Sequence, residues 1–207
     1  MSDIEYFYSA HSAYAYIGAG LLSEIAAKAN ARINHRPIEL REVIAAMGGA
    51  TNSLTPRRRV YFSGREIERW AAYRGAPIMR GIPTHHSNDI ARSNGVLIAA
   101  IDAGHDIDRL SHQMLQAHWR DDADLDDEAA LAKIIAAAGF DPVALLAAAV
   151  SPAIQAIHDR NTAEAIERSV FGSPTYFVDR DMFYGQDHLE LVAQALKEPF
   201  PRLWDAT

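Results

Sequence analysis

The sequence predicts an α/β fold: a small sheet built from the two ends of the chain, with a large all-helical insertion between them. Three observations carry that expectation. An apolar, aromatic run from Ile4 to Ser9 leads into an Ala-rich helical stretch, with Ser12 at the turn. From Arg65 to about Asn161 the pattern is helical almost throughout. Strand character returns only after residue 168, in the segment Val170-Phe171-Gly172-Ser173-Pro174-Thr175-Tyr176-Phe177-Val178.

Each element has a local reason. Tyr6, Phe7 and Tyr8 are types that favour strands. Ala13 to Ala31 carries Leu21, Leu22 and Ile25 at helical spacing, a helix of about five turns at 3.6 residues per turn. Ile33 to Pro37 reads as the second strand. Residues 48–63, with Gly48-Gly49, Asn52 and Pro56, read as a loop with a helix start. Breaks at Gly75, Gly81, Gly104, Asp121 to Asp124 and Gly139 divide the middle into five or six helices. Asp141-Pro142 and Ser151-Pro152 are N-cap signals with proline in the first turn. Thr175 to Val178 and Met182 to Tyr184 flank Asp179-Arg180-Asp181 as a hairpin. Asp187 to Lys197, with Leu189, Val192, Ala193 and Leu196 on one stripe, reads as the final helix. The expected organisation is therefore a discontinuous domain, 1–48 with 168–207, and a helical domain, 49–167.

The chain has 207 residues, 49% hydrophobic and 23% charged, enough for a real core and globular in composition. A net charge of −7, from 20 basic and 27 acidic side chains, argues against nucleic acid or an anionic membrane as the main partner. No run approaches the roughly 18 apolar residues of a membrane span. The start, Met-Ser-Asp-Ile-Glu, has neither a basic nor an apolar leader region, so a cytoplasmic protein is expected. There is no cysteine, which removes disulfides, thiolate metal sites and a cysteine nucleophile together.

A strand-turn-helix at one end and a Ser-Pro strand near the other outline a thioredoxin-like domain. Redox versions of that fold carry C-x-x-C at the first turn. Here the turn holds Ser12, so thiol chemistry on this scaffold must use another molecule's sulfur, and glutathione is the expected donor. Ser12 is either an ordinary N-cap or a hydroxyl that, with the free amides and positive dipole of a helix start, stabilises a thiolate. Ser173-Pro174 is a permitted strand start, or the point where an extended peptide such as glutathione pairs. Gln186-Asp187 either caps the last helix or holds the γ-glutamyl end; the two readings are compatible. Arg57-Arg58-Arg59 is an anion site or a solvated helix start. Metal readings fail. His85-His86 are adjacent and point different ways, and the run from Asp122 has Asp127 and Lys133 where a calcium loop needs Gly and Glu. No G-x-S-x-G elbow supports a serine hydrolase.

With these segments in view, the chain from Tyr6 to about Leu196 resembles the 2-hydroxychromene-2-carboxylate isomerase family, related to kappa-class glutathione transferases and to DsbA-type proteins. The resemblance rests on the serine turn, Pro56-Arg57-Arg58, Gly172-Ser173-Pro174-Thr175 and Tyr184-Gly185-Gln186-Asp187-x-Leu189. Ser9 and Ala13 replace the family's usual acid and proline. The resemblance implies a glutathione-dependent isomerase of an aromatic carboxylate, with Ser12 stabilising the thiolate. Asn52, Arg58, Ser173, Pro174, Gln186 and Asp187 would contact glutathione, and Tyr14, Tyr61 and Trp70 would line an aromatic cleft. His11, beside Ser12, either carries a proton or packs. A homodimer is implied. The alternatives are a kappa-like transferase or peroxidase, and a glutathione-binding protein without catalysis.

Overall fold

The computed structural model describes residues 3–48, 55, 57 and 60–201. Four strands form one mixed sheet in the order β2-β1-β3-β4: β1 (Asp3–Tyr8), β2 (Arg32–Pro37), β3 (Thr175–Val178) and β4 (Asp181–Tyr184). β1 runs parallel to β2 through the crossover helix α1 (Ala13–Ala29), and antiparallel to β3, which pairs antiparallel with β4. A strand apolar on both faces belongs inside a sheet covered on both sides. On one face Tyr6 stacks on Tyr8 at 4.1 Å and on Tyr176 at 5.3 Å. On the other, Phe7 meets Phe177 edge-on at 5.7 Å, and the Arg168 guanidinium lies 3.9 Å from the Phe177 ring centre while bonding both Glu5 oxygens.

The helices are α2 (Leu40–Ala46), α3 (Glu66–Arg74) entered through a π-helical turn at Tyr61–Arg65, α4 (Ala91–Asp102), α5 (Asp108–Asp121), α6 (Glu128–Ala138), α7 (Pro142–Ala149), α8 (Pro152–Glu167) and α9 (Leu189–Ala195). Local chemistry ends them where expected. Ser12, Asp127, Asp141 and Ser151 each accept a backbone N–H at an N-cap. Asn30, Gly75 and Gly139 close α1, α3 and α6 in the left-handed conformation. The acidic run after α5 is used the same way: Asp122 accepts from the Thr84 N–H and hydroxyl, and Asp127 caps α6.

The first helix stops at Ala29, capped by Asn30, where the sequence reading ran it to Ala31, α2 is an added helix, and two further details differ. The hairpin turn is only Asp179-Arg180, both at positive φ, and Asp181 already pairs with Val178; this mirror-image turn matches the twist of the strands. The last helix begins at Leu189, because the chain leaves Gly185 at φ 93° and first makes a 3₁₀ turn at Gln186–His188.

One apolar core runs from the tyrosine face through α1 into α4–α7, with Leu97, Leu110, Met114 and Leu115 fully buried. A smaller one, around Phe7, Ile38, Val43 and Val170, fills the space under α2 and the end of α8. Each such side chain contributes roughly 1.5–3 kcal/mol by leaving water. The sheet is also tied to α5 through polar groups. Ser111 donates to the Tyr8 hydroxyl at 2.8 Å, Tyr8 lies 3.1 Å from His35 Nδ1, and His35 Nε2 lies 2.8 Å from Asp108. No single helix among the described residues is long and apolar enough to cross a membrane.

Close packing of α4 on α7 gives a stability test. A Cβ on Gly95 would stand 2.5 Å from the Ala149 carbonyl oxygen, whereas one on the exposed Gly20 of α1 would meet nothing within 4 Å. Gly95→Ala should therefore cost about 1–3 kcal/mol, and Gly20→Ala should gain roughly 0.5–1 kcal/mol by helix propensity. Thermal melts of the two variants should move in opposite directions.

Candidate functional site

The two ends of the chain meet at Ser12. Strand β1 delivers Ser9 to the sheet's carboxyl edge, and Ser12 starts α1. The Ser173-Pro174 bond, which is cis, sits directly against this turn. The Ser9 N–H donates to Ser173 Oγ at 3.2 Å, and the Ser12 hydroxyl donates to the Ser173 carbonyl at 3.1 Å. Ser12 Oγ also accepts from the Ala15 N–H at 3.3 Å, so Ser12 caps α1 while its own proton is directed at the Ser173 carbonyl. The N–H groups of Ala13, Tyr14 and Ser173 have no hydrogen-bond partner among the described residues. Three amides and one hydroxyl thus lie beside a helix start, an arrangement suited to an anion.

A buried polar scaffold holds this turn. Asn94, fully enclosed in α4, accepts from the Ala10 N–H at 3.1 Å and donates to the Ile38 carbonyl and to His158 Nε2, both at 2.9 Å. Trp119 donates to the His11 carbonyl at 2.8 Å. The His11 ring lies 3.1 Å from Ser9 Oγ and meets His86 edge-on at 4.9 Å. His118 faces the Ala123 carbonyl through Nδ1 at 3.0 Å, which leaves its Nε2 to accept from His86 Nδ1 at 3.0 Å. His85 turns instead to Asp124. Burial holds His11 down at about 3, with His86, His118 and the Arg41 charge adding to the effect; burial likewise holds His86 at about 4. His11 is thus a neutral, packed imidazole, and its partners are not those of the aromatic residues.

Those residues gather on the other side of the turn. The Tyr14 hydroxyl, pushed up to about 12 by burial and then by Glu66, Tyr184 and Asp187, donates to the Phe62 carbonyl at 3.0 Å. Tyr61 packs edge-on against Phe62. Trp70 and Asp187 share a cavity of ≈ 680 Å³ with Tyr73, Arg74 and Glu190. Gln186, almost fully buried, gives its amide oxygen to Arg74. Phe171 packs on Tyr184 with ring centres 4.6 Å apart and planes tilted by 56°, beside the Ser173-Pro174 bend, and both rings are half exposed.

Of the expected site residues, Ser12, Ser173, Pro174 and His11 therefore meet at the turn, while Tyr14, Tyr61, Trp70, Gln186 and Asp187 fall on its aromatic flank. Asn52 and Arg58 lie outside the described residues. Sequence reading missed Asn94, His86, His118, Trp119, Phe171 and Arg74. Of these only Phe171 carried a signal, because it lies two residues before Ser173. A larger cavity, ≈ 780 Å³, follows the β2 edge but shares nothing with Ser12; there both His35 nitrogens are engaged, and Arg32 and Arg36 are paired with Asp3 and Glu164.

The histidines set a pH dependence. Their folded values lie below the ordinary 6.5, so the unfolded chain takes up protons that the folded chain refuses. Their stabilisation is present above about pH 6.5 and is lost as pH falls toward 4. His86→Gln should make the fall in denaturant midpoint over that window shallower, by at most about 1.4 kcal/mol per pH unit.

Comparison with known proteins agrees with this fold. A curated 2-hydroxychromene-2-carboxylate isomerase from Sphingobium xenophagum is 27% identical over 201 residues, 93% of this chain and 97% of its own. One from Pseudomonas putida is 25% identical over 194 residues, 93% of each chain. A solved 2-hydroxychromene-2-carboxylate isomerase superposes with a TM-score of 0.77 at 24% identity, over 94% of both chains. The cytosolic disulfide reductase DsbM from Pseudomonas aeruginosa, solved with GSH, has the same fold at a TM-score of 0.62 and 16% identity, over 95% of this chain and 93% of its own. The model of the DSBA-like thioredoxin domain matches residues 3–197, nearly the whole length, and the chain belongs to that family.

Proposed function

We propose that the protein is a glutathione-dependent isomerase of an aromatic carboxylate of the 2-hydroxychromene-2-carboxylate kind. The relatives named for that activity span nearly the full chain, which supports the reaction class. The observation that carries the role of glutathione is the Ser173 N–H, without a partner among the described residues and beside the Ser12 hydroxyl, in a chain without cysteine. Ser173 would pair with such an extended peptide, and the start of α1 would receive its thiolate. Bound glutathione would supply a thiolate that adds reversibly to an unsaturated carbon, making a rotatable single bond before elimination.

The chain's own groups do the rest. Ser12 would donate its hydroxyl to the thiolate in place of the Ser173 carbonyl, and the Ala13 and Tyr14 amides would add two further donors. Asp187 offers its carboxylate to the ammonium of the γ-glutamyl end. Tyr14, Tyr61 and Phe171 supply aromatic surface for the substrate ring. Arg58 and Asn52 complete the reading as contacts to glutathione.

Calorimetry with glutathione, paired with a thiolate difference spectrum near pH 7, tests this directly. Wild type should bind and show the thiolate band, and Ser12→Ala should lose most of that band and about 10² or more in turnover. Absence of binding at millimolar glutathione would sink the proposal. Net consumption of glutathione during turnover would move the chain to the transferase reading.

A further inference from the structure

We infer that Arg74 is a positioning residue that aims Asp187 at the ammonium end of the thiol ligand, acting through Gln186; this rests on the glutathione reading above. Arg74 ends α3, and four of the five N–H groups of its guanidinium are used inside the protein. Nε donates to Gln186 Oε1 at 2.9 Å, Nη2 to the Gln186 carbonyl at 3.2 Å, and Nη1 and Nη2 to the two Glu190 oxygens at 2.6 and 3.1 Å. Trp70 and Tyr73 flank it, with ring centres 5.5 and 5.4 Å from the guanidinium carbon. Its side chain is only 10% exposed. A planar fork that meets two partners at once is a geometric clamp that lysine cannot reproduce.

What the clamp holds is the short turn bearing Asp187. From the opposite side Gln186 is pressed against α1 at Gly18, where an added Cβ would come 2.7 Å from Gln186 Cβ. Gln186 is thus fixed between a glycine and an arginine, and its amide oxygen is not available to a ligand. Asp187 is different: its carboxylate is half exposed, and its one ionic neighbour among the described residues is His188, at 3.7 Å.

The charges of the cavity sharpen the point. Arg74 is cancelled by Glu190, and Arg69 by Glu66 at 2.6 Å, which leaves Asp187 as the uncompensated charge among the lining residues. A pocket with one spare carboxylate and aromatic walls accepts a primary ammonium. Arg74 neither attracts nor repels that group, since its own charge is spent. Its contribution is to fix the backbone from which Asp187 projects, before ligand arrives, and so to lower the ordering cost of binding.

The test compares two thiols that differ only at that end: glutathione and cysteinylglycine, which lacks the γ-glutamyl unit. Dissociation constants are measured by calorimetry for wild type, Arg74→Met and Arg74→Lys, with thermal melts to confirm folding. Wild type should prefer glutathione, and both variants should lose about tenfold or more in glutathione affinity while binding cysteinylglycine as wild type does. A general structural defect would weaken both thiols alike, and that result overturns the assignment. Full glutathione affinity in Arg74→Lys overturns it as well. Should Arg74→Met fail to fold, the lysine variant decides by the same comparison. Failure of wild type to bind either thiol is a separate outcome, which removes the glutathione reading and this inference with it.

Discussion

The whole site depends on one reciprocal contact, in which Ser9 and Ser12 clasp Ser173 from across the sequence. One bond runs from the Ser9 amide to the Ser173 hydroxyl and the other from the Ser12 hydroxyl to the Ser173 carbonyl. Together they lock the turn after β1 to the bend before β3. The β1–β3 ladder alone would bring the strands together but would not orient the turn, because both segments leave the sheet at its edge. With the clasp in place, the amides of Ala13, Tyr14 and Ser173 stand together without partners among the described residues, and a helix start becomes a candidate site.

Two very different environments support that clasp. Behind it lie neutral histidines, Asn94 and Trp119, with almost every polar atom paired. Such a network is costly to leave half satisfied, so it holds the turn in one conformation. In front lie half-exposed rings and the Asp187 turn, where groups remain for a ligand. The Tyr14 hydroxyl, bonded to Phe62, ties the start of α1 to the π-helical turn and so joins the front of the site to the helical region. The proposed thiol chemistry of this cysteine-free scaffold rests on the division between a satisfied back wall and an unsatisfied front.

The motifs at the two ends were legible because they are local. Ser12 is a helix cap by its position before an Ala-rich stretch, and Asp141-Pro142 and Ser151-Pro152 announce helices without any tertiary help. Gln186 was placed correctly as a neighbour of the last helix. Its commitment was invisible, since Arg74 lies 112 positions away and no periodicity links them. Asn94 is the same kind of case: a buried asparagine in an ordinary helical pattern, whose importance comes from the Ala10 amide 84 positions earlier. His11 was read beside Ser12 as either proton carrier or packing residue. The deciding facts, His86 and His118 at its side, come from a loop and a helix far along the chain.

By itself, then, the sequence determined the alternation of strands and helices, the caps that bound them, the serine in place of a thiol, and the apolar character that buries β1. These follow from side-chain chemistry acting over a few residues. Tertiary structure decided which amides stay open, which carboxylate stays uncompensated, and which histidines are held neutral. Those properties depend on desolvation and on partners brought close by folding, and neither is encoded at short range along the chain.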